Sequence, residues 1–177
     1  QGGALLGHAI HIHDMLASFL GPVSRLYAET ATRVNAIEVE DCAALTLRMA
    51  DGAVITSSVT LGCAENKSRL RLMFDGFTVE SDHAPYSPAE RGWVFTARAP
   101  RQQAEIDAVL SDLTNAGSGF AGFFSAIADA LDGASGREVT LEDGRRSLEF
   151  VTAAYHSART AAPVTMPLDR SHPPSEG

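Results

Sequence analysis

Apolar and polar positions alternate along the middle of the chain and recur every three to four residues toward both ends. Ala43, Leu45, Leu47 and Met49 take every second place, with Thr46 and Arg48 between them. A period of two predicts a strand with one covered face. Ile55, Val59 and Leu61 alternate with Thr56, Ser58 and Thr60 over 53–61, which predicts a second such strand. Asp51-Gly52 between the two suits a two-residue type I′ hairpin turn, in which both residues take positive φ. Val23, Leu26, Ala28 and Thr30 predict a strand over 23–34, and 35–41 is an acidic connection. Leu70, Leu72 and Phe74 lead through Asp75-Gly76 to Phe77 and Val79, a second hairpin. Residues 81–92 hold prolines and polar residues and are expected to loop. Residues 92–99 predict a further strand, ended by Pro100.

Near the start, Ile12, Met15, Leu16, Phe19 and Leu20 fall at i, i+3, i+4, i+7 and i+8, one apolar helical stripe. At about 100° per residue, His11, Asp14 and Ser18 share a neighbouring face. Gly21-Pro22 stops this helix. Residues 101–114 are polar and modestly helical. Residues 119–132 carry Phe120, Phe123, Phe124, Ile127 and Leu131 on one stripe, closed by Asp132-Gly133. Residues 142–161 place Leu148, Val151, Thr152 and Tyr155 on one face, with Pro163 beyond the end. Strands come first, helices later, and no βαβ rhythm is present. The fold class is therefore α+β: a large, predominantly antiparallel or mixed sheet with helices packed on one face. Residues 1–168 are expected to form one body and 169–177 a polar tail.

Composition narrows the function. The 177-residue chain carries a net charge of −8 and is 45% hydrophobic. An acidic surface argues against nucleic acid and anionic membranes as partners, since both need a basic face. No apolar run approaches the roughly 20 residues of a membrane span. Residues 1–21 lack the basic start of a secretory leader. Cys42 and Cys63 are too few for a disulfide framework, and suit small buried hydrophobes in a reducing, cytoplasmic setting.

Three of the six histidines lie at positions 8, 11 and 13. Imidazole titrates near neutral pH, so His11 on the polar side of the first helix is a candidate proton carrier. His8 and Asp14 stand close to it in sequence, whereas His13 falls on the opposite flank and suits a structural place. The His-x-x-His-x-His spacing lacks the i, i+4 pair of a helical zinc motif, so no metal site is expected. Gly117-Ser118-Gly119-Phe120-Ala121-Gly122 spells Gly-x-Gly-x-x-Gly, but a polar, helix-like stretch precedes it where a dinucleotide loop needs a buried strand. Arg69, Arg71, Arg145 and Arg146 are accounted for as solvated faces.

Several motifs carry a resemblance. The opening run Gly-Gly-x-Leu-(x)5-His-x-x-Asp-(x)5-Leu-Gly resembles the start of the C-terminal domain of the glucose-fructose oxidoreductase / inositol dehydrogenase (Gfo/Idh/MocA) family. Val39-Glu40-Asp41-Cys42-Ala43 with Asp51-Gly52-Ala53, the helix from Glu142-Asp143-Gly144 to Ala154-Tyr155-His156-Ser157-Ala158, and Val164-Thr165-Met166-Pro167-Leu168 resemble later family motifs in the same order. The resemblance implies the substrate-binding and oligomerisation half of an NAD(P)-dependent oxidoreductase. In that reading NAD or NADP is bound mainly by a Rossmann domain absent from this chain, and none is expected in the chain alone. The substrate would be a sugar, polyol or related hydroxy compound, and the open sheet face would build a homo-oligomer. The resemblance also implies a catalytic role for His11, with Asp14 orienting the imidazole or binding a substrate hydroxyl. Four residues before the histidine the family has an aspartate; here the position is Gly7, and His8 beside it is the candidate replacement. The family's Glu-Lys-Pro signature, which carries its catalytic lysine, is missing. Gly7 and the lack of a nucleotide segment favour the alternative of a non-catalytic binding or assembly module of the same fold. A free-standing metal hydrolase built on the histidines is a third reading.

Overall fold

The computed structural model describes residues 2–83, 92–112, 119–134 and 138–169. Within the 1–168 span, contacts group the described residues into two compact units. One holds those up to Cys63 and from Thr140 onward; the other runs from Ala64 to Val139.

The first unit is built on β1 (Val23–Ala31), β2 (Cys42–Met49), β3 (Val54–Thr60) and β7 (Val164–Thr165), antiparallel in the order β3-β2-β1-β7. Alternation sets the faces as expected. Ala43, Leu45, Leu47 and Met49 are buried, while Ala44, Thr46 and Arg48 are exposed. Val23 pairs with Met49 and Arg25 with Arg48, so the register slips by one residue between them. Ser24 sits in that bulge, and its hydroxyl donates to the Arg48 and Met49 carbonyls at 3.0 and 3.2 Å. β1 ends at Ala31, three residues short of the expected strand. Beyond it the chain turns around buried Asp41, which accepts from the amides of Arg33, Val34 and Asn35 at 2.7–2.8 Å. These bonds, opposed by burial, hold the Asp41 carboxyl well below the usual carboxylate range.

The β2–β3 turn differs from the type I′ expectation. Only Gly52 has positive φ, at 98°. Its N–H reaches the Met49 carbonyl at 3.1 Å, and the Met49 N–H reaches the Ala53 carbonyl at 2.9 Å. This is the longer hairpin loop that ends on a left-handed glycine, so Asp51 avoids the left-handed strain a type I′ turn would impose.

Helix α4 (Leu141–Thr160) covers the inner face of β1. Thr140 and Asp143 form a capping box at its start. Its buried residues are Ser147, Phe150, Val151, Ala153, Ala154 and Ser157. The expected stripe is thus only partly right, because Leu148 is exposed. The true inner face is rich in small residues, which helical apolarity counts under-weight. Small residues let helix and sheet approach closely, and Ala28, Ala153 and Ala154 share one core cluster. Ser157 completes the joint. β7 pairs with β1 only at Arg25 and Leu26, so the Ala28 amide further along meets no strand there. It donates instead to Ser157 Oγ at 3.0 Å, and Ser157 Oγ donates to the Ala162 carbonyl at 2.7 Å.

The second unit holds β4 (Arg71–Met73), β5 (Phe77–Glu80) and β6 (Val94–Ala97), antiparallel in that order, with α2 (Pro100–Ser111) and α3 (Gly119–Leu131). Phe77 stacks on Phe74 and tilts against Phe95. Pro100 opens α2 at its first position, where a missing N–H costs nothing. Most of the 81–92 loop lies outside the described residues, as does the tail beyond residue 169. The Phe-rich helix forms, but Phe120 and Leu131 are 80% and 83% exposed and only Ala126 is buried. Periodicity reports an apolar stripe; it does not report what covers it. Arg69 and Arg71 pair with Glu80, in keeping with a solvated face. Cys42 is half-buried and Cys63 exposed, so neither is the buried hydrophobe expected. Cys63 lies past the end of β3. No helix among the described residues is long and apolar enough to cross a membrane.

Candidate functional site

The leading helix begins with a π-helical turn, Leu5–Ala9, which runs straight into α1 (Ile10–Leu20). The Ile10 amide reaches back five residues to the Leu5 carbonyl. A wide turn of this kind re-aims the side chains that precede it and recurs at functional sites. Glu40 anchors the start. Its backbone carbonyl accepts from the Ala4 amide at 3.0 Å, and its Oε1 accepts from the Leu5 amide at 2.9 Å. Two orphan donors of the helix start are thereby met, with a negative charge at the positive end of the helix. The Tyr155 hydroxyl donates to the same Oε1 at 2.8 Å. Burial and this carboxylate push the Tyr155 hydroxyl up to about 12, so it stays a donor. Gly3 is required here, since a Cβ would collide with the Glu40 carboxylate and backbone oxygen.

Along the helix, Leu5, Ala9 and Leu16 are buried, while Ile12, Met15 and Leu20 are half-buried. Phe19, expected on the buried stripe, is 51% exposed. His13 takes an inward place instead. Its ring stacks on Phe150 of α4 with centroids 3.9 Å apart and is 7% exposed. Burial, only partly opposed by the neighbouring Asp14 charge, lowers its pKa to about 4. His13 is therefore a neutral packing residue that locks α1 to α4.

That locking turns His11, Asp14 and Ser18 outward, and all three are exposed. His11 makes no hydrogen bond among the described residues. The Asp14 carboxylate accepts from Ser147 Oγ of α4 at 3.3 Å through Oδ1. This bond holds the carboxylate on the α4 side and leaves its second oxygen open. His8 lies half-buried in the wide turn before them. Gly7 is exposed, and a Cβ there would meet nothing within 4 Å. The helix thus carries an imidazole and a carboxylate three residues apart on one open face, with a second imidazole one turn earlier. Such a face can accept or donate a proton and bind a hydroxyl. Among the described residues no three His, Cys, Asp or Glu side chains converge as a metal site. The second glycine of the Gly-x-Gly-x-x-Gly run, Gly119, opens α3; its first two residues lie outside the described ones, and the nearest described element before it is the helix α2.

Glu40, Ser147 and Tyr155 support the site, yet no local pattern marks them as its partners. Glu40 stands 35 residues from Leu5 and 115 from Tyr155. Only its place in the Val39–Ala43 motif set it apart.

Because the folded pKa of His13 is lowered, the unfolded chain takes up the proton first. Stability therefore falls as pH drops from about 6.5 toward 4, by about 3 kcal/mol, and this contribution levels off below 4. The lowered carboxyls of Asp41, Glu142 and Asp143 add their own losses from about pH 4.5 downward, so they overlap only the acid end of that window. Urea unfolding at pH 7 and pH 4.5 is expected to show this decline in the native chain and a much smaller one in His13→Phe.

The family profile described as the oxidoreductase family C-terminal alpha/beta domain matches residues 1–166. The WlbA dehydrogenase from Bordetella pertussis, solved with NADH and UDP-GlcNAcA, superposes with a TM-score of 0.72 at 26% identity, covering 96% of this chain and 46% of that one. The WlbA dehydrogenase from Chromobacterium violaceum, with the same two ligands, gives 0.72 at 26%, covering 95% and 47%. Aldose-aldose oxidoreductase from Caulobacter crescentus shares the fold, with a TM-score of 0.72 at 19% identity over 93% of this chain and 48% of that one. The chain thus spans just under half the length of these proteins. Comparison with curated proteins gives no match. The chain belongs to the Gfo/Idh/MocA oxidoreductase family, as its C-terminal alpha/beta domain.

Proposed function

We propose that this chain is the substrate-side half of an NAD(P)-dependent oxidoreductase acting on a sugar, polyol or related hydroxy compound. The observation that carries the reading is the outward face of α1, where His11 and Asp14 stand exposed beside each other in a domain of this family. Support for the cofactor and for a sugar-like substrate comes from the WlbA dehydrogenases, which bind NADH and UDP-GlcNAcA at 26% identity. Nicotinamide, when bound, supplies the hydride acceptor or donor. Its nucleotide would be held by another segment, since the described residues offer no phosphate-binding turn.

The chain's own contribution is on the proton side. As a carbinol carbon is oxidised, its hydroxyl must lose a proton, and His11 takes it at a ring nitrogen; in the reverse direction the same nitrogen returns it. Asp14 orients the imidazole or receives a second substrate hydroxyl, with Ser147 fixing one of its oxygens. His8 supplies the polar group that Gly7 lacks. The hydroxyl-rich open face of the sheet makes a homo-oligomer, and the unpaired cysteines suit the cytoplasm.

The reading is tested by assaying the intact protein for NAD(P)H fluorescence quenching and for hydride transfer with sugar nucleotides and polyols. Quenching with turnover supports it. A stoichiometric failure to bind either cofactor would favour the assembly-module alternative, for which Gly7 is the specific observation. This chain by itself is expected to show no turnover with NAD(P), and turnover by it would contradict the proposed division of labour. Gly7→Asp introduces the family's aspartate into open space. It is expected to leave the melting temperature unchanged or slightly raised, since glycine is costly within a helix, and to raise kcat of the intact enzyme several-fold. A fall in kcat would show that a carboxylate at position 7 disturbs the site rather than completing it.

A further inference from the structure

We infer that Glu40 and Tyr155 are positioning residues: they clamp the wide turn at the start of the leading helix and so set where His8 stands relative to His11. This rests on the reading of that face as the proton-transfer site and names the groups that hold its second imidazole in place.

A helix leaves the amides of its first turn without partners inside the helix. Ala4, which precedes the wide turn, offers no side-chain cap. The Gly7 amide makes the first bond within the helix, to the Gly3 carbonyl at 2.8 Å. The amides before it are met from two distant segments. Those of Ala4 and Leu5 go to the Glu40 carbonyl and to Glu40 Oε1, at 3.0 and 2.9 Å. Those of Gly3 and Leu6 donate to the Tyr155 phenolic oxygen, which partly offsets the rise that burial and Glu40 impose on its pKa. The Tyr155 hydroxyl in turn donates to Glu40 Oε1 at 2.8 Å. Every amide from Gly3 to Leu6 therefore ends on one of two residues that are bonded to each other. Both are themselves held: Glu40 fills the room that Gly3 leaves, and Tyr155 packs against the core cluster.

His8 lies inside the wide turn, Leu5–Ala9, and His11 lies past it in α1. Farther along, the His13 ring stacked on Phe150 fixes α1 to α4. The turn is thus pinned before His8 by the clamp and after His11 by the stack. A wide turn is rarer than a regular one and needs its surroundings to keep it open. If the clamp is lost, the turn can close as regular helix. Taking one residue out of a turn rotates the residues before it by about 100° against those after it. The stack keeps His11 in place, so the displacement falls on His8.

The intact protein carries the test. Tyr155→Phe removes the oxygen that meets Gly3 and Leu6 and keeps the ring. It is expected to lower kcat about tenfold with KM within about twofold, since misplacing a group at the reacting centre costs rate. The loss should vanish in a His8→Ala background, because the clamp acts through that imidazole. Glu40→Gln keeps an acceptor within reach of Leu5 and Tyr155 and should stay within about twofold of native kcat, whereas Glu40→Asp keeps the charge, draws the oxygen back by one carbon and should match Tyr155→Phe. Deuterium exchange at the imidazole C2 positions, read by mass spectrometry, needs no turnover. In Tyr155→Phe and Glu40→Asp the rate at His8 is expected to change at least threefold, with His13 unchanged as the sign that α1 stays docked. Equal kcat losses with and without His8, or an unchanged His8 exchange rate, would overturn the clamp and leave the reading of His11 standing. Glu40→Asp behaving as native while Glu40→Gln is impaired would also overturn it, assigning Glu40 to the charge at the helix start alone. If the native protein turns over no substrate with NAD(P), the proton-transfer reading fails. Exchange at His8 then decides the clamp by itself, a change supporting it and no change overturning it.

Discussion

Under the proposed function, replacing His11 with alanine in the intact protein is expected to lower kcat/KM by about 10²–10⁴-fold, the usual worth of a positioned acid–base group. The loss should fall on kcat, because the proton is transferred only as the reaction proceeds. The fold should be little affected. His11 is exposed and makes no hydrogen bond among the described residues, and substitutions of that kind shift stability by about 0.5 kcal/mol or less. A stability change confined to that range, together with the kinetic loss, separates a chemical role from a structural one. His13→Ala is the informative contrast. It removes the ring stacked on Phe150, so it should lower the melting temperature first and activity only through the loosened helix.

The largest stability effect from a single atom is expected at Ser157. Its hydroxyl accepts from the Ala28 amide and donates to the Ala162 carbonyl, and the residue is fully buried. Ser157→Ala strands the buried Ala28 amide, while the Ala162 carbonyl belongs to an exposed residue and can turn to water. A buried group without a partner costs about 1–3 kcal/mol, so the variant should lose about that much in urea unfolding. Ser157→Thr keeps the hydroxyl and tests the packing separately. It should preserve the two bonds while crowding the close contact between α4 and β1. An alanine variant as stable as the native chain would mean that water replaces the serine oxygen.

What could be read from the chain was its faces. Strict alternation from Ala43 to Met49 fixes which side chains turn inward, because a strand offers only two faces. The helical wheel from Ile12 to Leu20 likewise put His11 and Asp14 on one open side, and the structure has them there. Partners were not legible. Glu40 caps a helix 35 residues earlier, and nothing in its neighbourhood announces that contact. His13 sits at a position that a wheel assigns to a flank, but the stacked Phe150 draws it into the core. The inward face of α4 was misjudged because Ala153, Ala154 and Ser157 matter for being small, which an apolar count does not register. The β2–β3 turn escaped prediction because Asp-Gly serves more than one loop length, and only backbone angles separate them. At the site, the residue types were legible and their supports were not, since the supports come from α4 and from the loop before β2.

The account stands on His11 as the group that carries the proton on a face completed by another part of the protein. The pH dependence of kcat/KM in the intact enzyme tests this most directly. The native enzyme should show an ionisation limb, and His11→Asn should lose that limb while binding cofactor as before. The same limb at the same pH in the His11→Asn enzyme would contradict the assignment.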